Sequence, residues 1–276
     1  MEHFKSPFGP SDFVSPRTVE NQTFFDEMLL RSQEHRFYSH PFLAAAEQSA
    51  PSREVMSFVL TSFYKVVSPF TGLLCSLGGR APNLRSRFAL MDNIYEEMGC
   101  GDLSAAHPNL YLKMLSSIGV TPNAAEAART LPTIRRINEH LRECVDRRSF
   151  AVACAVLASA EAAIPPSFPV IARLAQRAFP EMDMTFFDRH GPRDDGHSDD
   201  AAMLFAVTAD SADFDAVEFE VKLDLEYRAE LLDEWLHALH HGIHPEASIA
   251  AAPSRRPSVR PSARPSARPS APPPPA

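Results

Sequence analysis

The stretch Phe150-Ala-Val-Ala-Cys-Ala-Val-Leu-Ala-Ser-Ala-Glu-Ala-Ala163 decides the fold. It is rich in good helix formers, and only Ser159 and Glu161 interrupt its apolar character, so it has no polar face to give to water. A helix of that kind must be surrounded on all sides, which makes it the centre of a helical bundle. Pro165-Pro166 interrupts the helix, and the pattern resumes from Phe168 to Phe179.

The segments on either side supply the surrounding helices. Ala124 to Arg148, interrupted at Pro132, mixes Arg and Glu at three- and four-residue spacing and reads as a solvated helix. Asn109 to Ile118 is a short amphipathic helix ended by Gly119, and Leu84 to Met98 is another, broken by Gly99-Cys-Gly-Asp102. Arg53 to Cys75 carries apolar residues at 56, 59, 60, 63, 67 and 70, a wide stripe with an expected kink at Pro69. Ser15-Pro16 caps an opening region that runs to about Ala46, with His40-Pro41 closing its first helix. Beyond the central segment lie a run from Thr185 to Val207 and a last helix from Phe214 to about His241, which holds the only tryptophan, Trp235. With ten Gly and almost no alternating Val, Ile or Thr, the fold class is all-α.

Composition bounds the function. The chain has 276 residues, 45% hydrophobic and 22% charged, ample for one globular core. Residues 251–276 are built from Arg-Pro-Ser-Ala units and read as a disordered tail, residues 1–15 as a flexible N-terminus, and 16–250 as one helical domain. Without the tail's five Arg, the net charge changes from −8 to −13. An acidic body argues against nucleic acid or an anionic membrane as partner. No run of eighteen apolar residues and no basic-then-apolar leader is visible, so a cytoplasmic location is expected. Cys75, Cys100, Cys144 and Cys154 form no Cys-x-x-Cys pair and read as reduced thiols.

Three segments carry candidate chemistry. Glu161 sits on the apolar helix, in its last turn, where burial and the helix dipole both disfavour an anion, so it needs a cation. That cation is either an Arg from another helix or a metal. His190, Asp194 and His197 stand at i, i+4 and i+7, within about 60° on a helix face, so two imidazoles and a carboxylate can converge. Gly191, Pro192 and Gly196 weaken that helix, and a surface loop with stray histidines is the alternative. Glu97 and His107 are too far apart for one straight helix, but the Gly99-Cys-Gly101 break lets the chain return. The alternative there is a helix cap followed by a core histidine.

Glu97-x-Gly-x-Gly-x5-His107, a lone Glu161 shortly before Ile-Pro, and His190-x3-Asp194-x2-His197, in this order, resemble the heme-oxygenase-like diiron oxidase and oxygenase superfamily. That superfamily is related in fold to thiaminase II and pyrroloquinoline-quinone synthase. The resemblance spans about residues 20 to 240. It implies a seven-helix bundle in which Glu97, His107, Glu161, His190, Asp194 and His197 hold two Fe(II) ions per chain that activate O2. Some members add a carboxylate from the preceding helix; Arg53 to Gly79 offers only Glu54, at its start. By the same resemblance the substrate is a small amino-acid-like metabolite, the reaction C–C or C–H cleavage or N-oxygenation, and the setting natural-product biosynthesis. A homodimer is compatible with it.

Two rival readings stay open: a metal-free enzyme of cofactor synthesis or thiamine salvage with the same fold, and a noncatalytic protein that binds through its basic tail. Lesser features carry less. His237, His240, His241 and His244 read as helix-terminal, Glu96 as solvated, and Phe186 and Phe187 as core. Asp195 is a poorer alternative to Asp194, and Cys154 reads as core rather than nucleophile.

Overall fold

The computed structural model describes residue 8, residues 10–13, 15–189 and 195–243, without the side chains at 10, 13, 46–48 and 195–197. The described residues contain thirteen α-helices, three short 3-10 turns and no strand. In chain order the helices are α1 (Pro16–Ser32), α2 (Pro41–Gln48), α3 (Arg53–Val67), α4 (Phe70–Arg80), α5 (Leu84–Glu97), α6 (His107–Ser117), α7 (Pro122–Ala127), α8 (Pro132–Arg147), α9 (Phe150–Ala162), α10 (Ile164–Ala178), α11 (Thr185–Arg189), α12 (Asp195–Thr208) and α13 (Phe214–His241). Joining α3 to α4 across Pro69, and α9 to α10 across Ala163, leaves eight long helices, close to the seven expected.

The central segment is α9. Ser149 caps it by accepting from the Val152 N–H at 3.1 Å, and every residue from Ala151 to Glu161 is buried. α12, α13, α8, α10 and α4 pack around it. Its many alanines let α12 approach closely, and the Ser198 hydroxyl donates to the Ala158 carbonyl at 3.1 Å. The first turn of α12 therefore lies beside the last turns of α9.

An aromatic layer fills the space between α3, α10 and α13. Trp235 packs its ring against Phe63 and Phe42, at centroid distances of 5.6 and 5.7 Å, and Phe63 packs edge-on against Phe168 at 5.5 Å. The indole N–H donates to Ser62 Oγ at 3.0 Å, and that hydroxyl in turn donates to the Val59 carbonyl. This leaves no polar atom of the tryptophan unsatisfied in the core.

The structure revises three local expectations. His40 opens α2 rather than closing α1: its Nδ1 accepts from the Phe42 N–H, and Pro41 takes the first helical position. α8 is not solvated all round, since Ile134, Ile137, Leu141, Cys144 and Val145 are buried. The Arg and Glu residues outnumber that apolar stripe and mask it in a simple count of charges. The run from Thr185 to Val207 is divided between α11 and α12.

Two stretches, Arg53–Arg80 and Phe150–Ala178, are apolar and long enough by composition to cross a membrane, and half or more of each relevant window is buried within the bundle. Interior position accounts for their apolarity.

Candidate metal centre

Glu97 is the last residue of α5, and the chain leaves it through Gly99, Cys100 and Gly101, all with positive φ (80°, 56° and 89°). A Cβ on Gly99 would stand 2.2 Å from the Asp102 carbonyl oxygen and 2.5 Å from the Ala106 nitrogen, so only glycine permits this turn. Tyr95 steadies it by donating its hydroxyl to the Cys100 carbonyl at 2.8 Å. Asp102 then caps a 3-10 turn through the Ser104 N–H, and the chain enters α6 at His107. This reversal brings His107 Nδ1 to 2.8 Å from Glu97 Oε1, with both side chains buried. Phe186 stands edge-on to the imidazole, 6.5 Å between ring centres.

Glu161 comes from a third helix, α9. It is buried in the last turn of α9, and it lines the same cavity as Glu97 and His107. The cavity encloses about 890 Å³ of empty space, counting its mouth. Its walls are mostly apolar, with Phe63, Phe168 and Trp235 among them, and Arg228 of α13 is its cationic member. Arg228 Nε donates to Asp224 Oδ2 at 2.6 Å, and Asp224 is fully buried.

The structure thus brings together three of the six expected ligands, from α5, α6 and α9. His190 and Asp194 lie outside the described residues. The backbone of His197 belongs to α12, one residue before Ser198, and so sits beside the α9 turns that carry Glu161; its side chain is not among those described. Two carboxylates and an imidazole, buried and facing one cavity, form a hard oxygen and nitrogen donor set that suits ferrous iron.

The lesser candidates fall elsewhere. Cys154 is fully buried inside α9, and burial pushes its thiol well above the ordinary range, which suits core packing and not nucleophilic chemistry. Phe186 and Phe187 are core. Glu96 is half-buried, and His237 and His241 lie one turn apart near the end of α13 with ring centres 4.8 Å from each other. His244 is outside the described residues. Sequence reasoning missed Arg228 as a cavity residue, did not single out His140 on α8, and read Cys144 only as a reduced thiol. The i, i+4 spacing of Asp224 and Arg228 was the available signal for the first.

Among solved structures, the chain is similar to a TenA homolog from Pseudomonas syringae pathovar tomato, with 18% identity over 86% of this chain and 100% of that one and a TM-score of 0.59. A CADD-like protein from Nostoc punctiforme shares 16% identity over 78% of this chain and 98% of its own, with a TM-score of 0.64. A domain with a heme oxygenase-like fold from Shewanella denitrificans shares 15% over 81% and 93%, with a TM-score of 0.59. These likenesses show the fold. No curated protein matches the chain. The model of one family, described as iron-containing redox enzyme, matches residues 57–229, a span that begins on α3, ends on α13 and includes all six expected ligands, and the chain belongs to that family.

Proposed function

We propose that this protein is a nonheme diiron oxidase or oxygenase in which Glu97, His107, Glu161, His190, Asp194 and His197 hold two Fe(II) ions, and that it uses O2 to oxidise a small amino-acid-like metabolite. The observation that carries this reading is the convergence of Glu97, His107 and Glu161, spread over 64 positions of chain, on one cavity. Bound ferrous iron supplies electrons and open coordination positions for O2.

The chain's own residues supply the rest. His107 Nδ1 stands 2.8 Å from Glu97 Oε1, so the two side chains face each other in the cavity wall. Phe63, Phe168 and Trp235 form a wall that keeps bulk water from the buried carboxylates. Arg228 is the cavity's recognition element. Its Nε is committed to Asp224, which aims the guanidinium, while its two Nη groups make no hydrogen bond to the described residues. Free N–H edges in an apolar wall suit the carboxylate of an amino acid, and the apolar surface suits its side chain.

The test is anaerobic Fe(II) loading followed by metal analysis, then O2 consumption with a panel of amino acids and fatty acids. The expected result is close to two irons per chain and acceleration by an amino acid. Absence of stoichiometric iron sinks the proposal, and acceleration by fatty acids alone reassigns the substrate.

A further inference from the structure

A second polar cluster lies between α8 and α13, about two turns along α13 from the cavity-lining Arg228. Ile137 and Leu141 of α8 face the cavity, whereas His140 and Cys144, one turn apart, are buried against α13 beside Glu220. One donor atom from each of the three lies within 4.8 Å of the others.

A cation, whether a second proton on the imidazole or a metal, would complete the polar pairing of this cluster. His140 Nε2 stands 3.1 Å from the Glu220 backbone carbonyl, which can only accept, so that nitrogen carries the hydrogen. In the neutral imidazole, the Nδ1 lone pair is then turned toward Glu220 Oε2 at 3.5 Å, an acceptor facing an acceptor. Cys144 Sγ is 3.8 Å from the same carboxylate oxygen. Arg148 pairs with the other oxygen, Oε1, and leaves Oε2 to the cluster. One turn along α13, fully buried Asp224 gives one oxygen to Arg228, and its Oδ1 is buried with no hydrogen-bond partner among the described residues.

We infer that His140, Cys144 and Glu220 form a binding site for a zinc-class divalent cation, separate from the iron cavity, with Asp224 or a water available for a fourth position. The spacing supports it. Tetrahedral zinc with sulfur at about 2.3 Å and nitrogen or oxygen at about 2.0 to 2.1 Å sets its donors roughly 3.3 to 3.6 Å apart. The Nδ1–Oε2 and Sγ–Oε2 separations of 3.5 and 3.8 Å need only small adjustment, while Sγ lies 3.8 Å from Nε2, so the imidazole must turn slightly to bring Nδ1 to the metal. A thiolate with one imidazole and one carboxylate also favours zinc over the harder ions. Binding exchanges the thiol proton for the metal: the S–H bond breaks, an S–metal bond forms, and the proton passes to solvent with no change of oxidation state. Half-exposed Arg148 closes the site on its solvent side.

The test titrates full-length protein, stripped with a chelator, with Co(II) under nitrogen. One equivalent should produce a thiolate-to-cobalt charge-transfer band. Cys144→Ser should remove the band, His140→Asn should weaken binding at least tenfold, and Cys75→Ser should leave the spectrum unchanged. Glu161→Gln, in the other cavity, should keep the band, so failure of the iron reading and failure of this one are distinguishable. A cobalt spectrum without the band in the wild type, or the same band in Cys144→Ser, overturns the proposal. Should the variants not fold, zinc-edge absorption on the zinc-loaded wild type decides it: one sulfur near 2.3 Å supports the site, and a shell of nitrogen and oxygen alone overturns it.

Discussion

The two buried polar clusters differ in what lies next to them. Glu97, His107 and Glu161 face a cavity, so a substrate or ion can reach them. His140, Cys144 and Glu220 are wedged between two helices, with Arg148 already on one carboxylate oxygen. A buried carboxylate is costly wherever it sits, but the first group faces a cavity of about 890 Å³, whereas the second has beside it only a smaller apolar pocket of about 240 Å³ at Cys144. The comparison teaches that burial of charge marks a site, and that adjoining space decides whether it reacts or only binds. The two regions meet at the Asp224–Arg228 pair, whose acid lies one turn from Glu220 and whose guanidinium lines the cavity.

Glu161 is the most consequential position beside the cavity. Glu161→Gln keeps the shape and removes the charge; iron content and substrate-dependent O2 uptake should fall by 100-fold or more, measured by metal analysis and an oxygen electrode. Gly99→Ala comes next. The added Cβ meets backbone at 2.2 Å in a residue with φ of 80°, so it should lose about 1–3 kcal/mol in urea unfolding and reduce iron binding by displacing His107.

Arg228→Met sharpens the comparison at the junction. It should raise KM for the amino-acid substrate on the order of tenfold or more, equivalent to about 1.5–3 kcal/mol for a hydrogen bond to a charged group, with a smaller change in kcat. An equal fall in kcat and kcat/KM, with KM unchanged, would show that the arginine serves catalysis or folding rather than recognition.

The smallest effect is read from the packed side. In the metal-free protein, burial and then the charges of Glu220 and Asp224 push the Cys144 thiol up to about 12 from an ordinary value of 9. The folded state therefore holds a proton that the unfolded chain releases above pH 9. Its contribution to stability is complete below pH 9 and is lost as pH rises from 9 toward 12. Cys144→Ala should make that alkaline decline shallower, as followed by thermal unfolding across pH 8 to 11. A slope identical to wild type would place the titration elsewhere.

The site was legible where chemistry and local backbone coincide. Glu161 stood out because an acid on an otherwise apolar helix has no ordinary reason to be there. The Gly99-Cys-Gly101 break announced a reversal because successive residues with positive φ have few alternatives to glycine. α8 hid its buried pair for the opposite reason: Arg and Glu on the outer face dominate the composition, and His140 and Cys144 look like ordinary helix residues until α13 is laid against them. Arg228 was equally silent, since a cation on an amphipathic helix is usually solvated.

From the sequence alone came the all-helical class, the central position of Phe150–Ala163 and the order of the six candidate ligands. Each of these depends on residue type and local spacing, which a one-dimensional chain carries in full. Only the tertiary structure decided that Glu97, His107 and Glu161 share one cavity with Arg228, and that Cys144 meets Glu220 across two helices. Those pairings join residues far apart in the chain, and their distances depend on how every intervening helix packs.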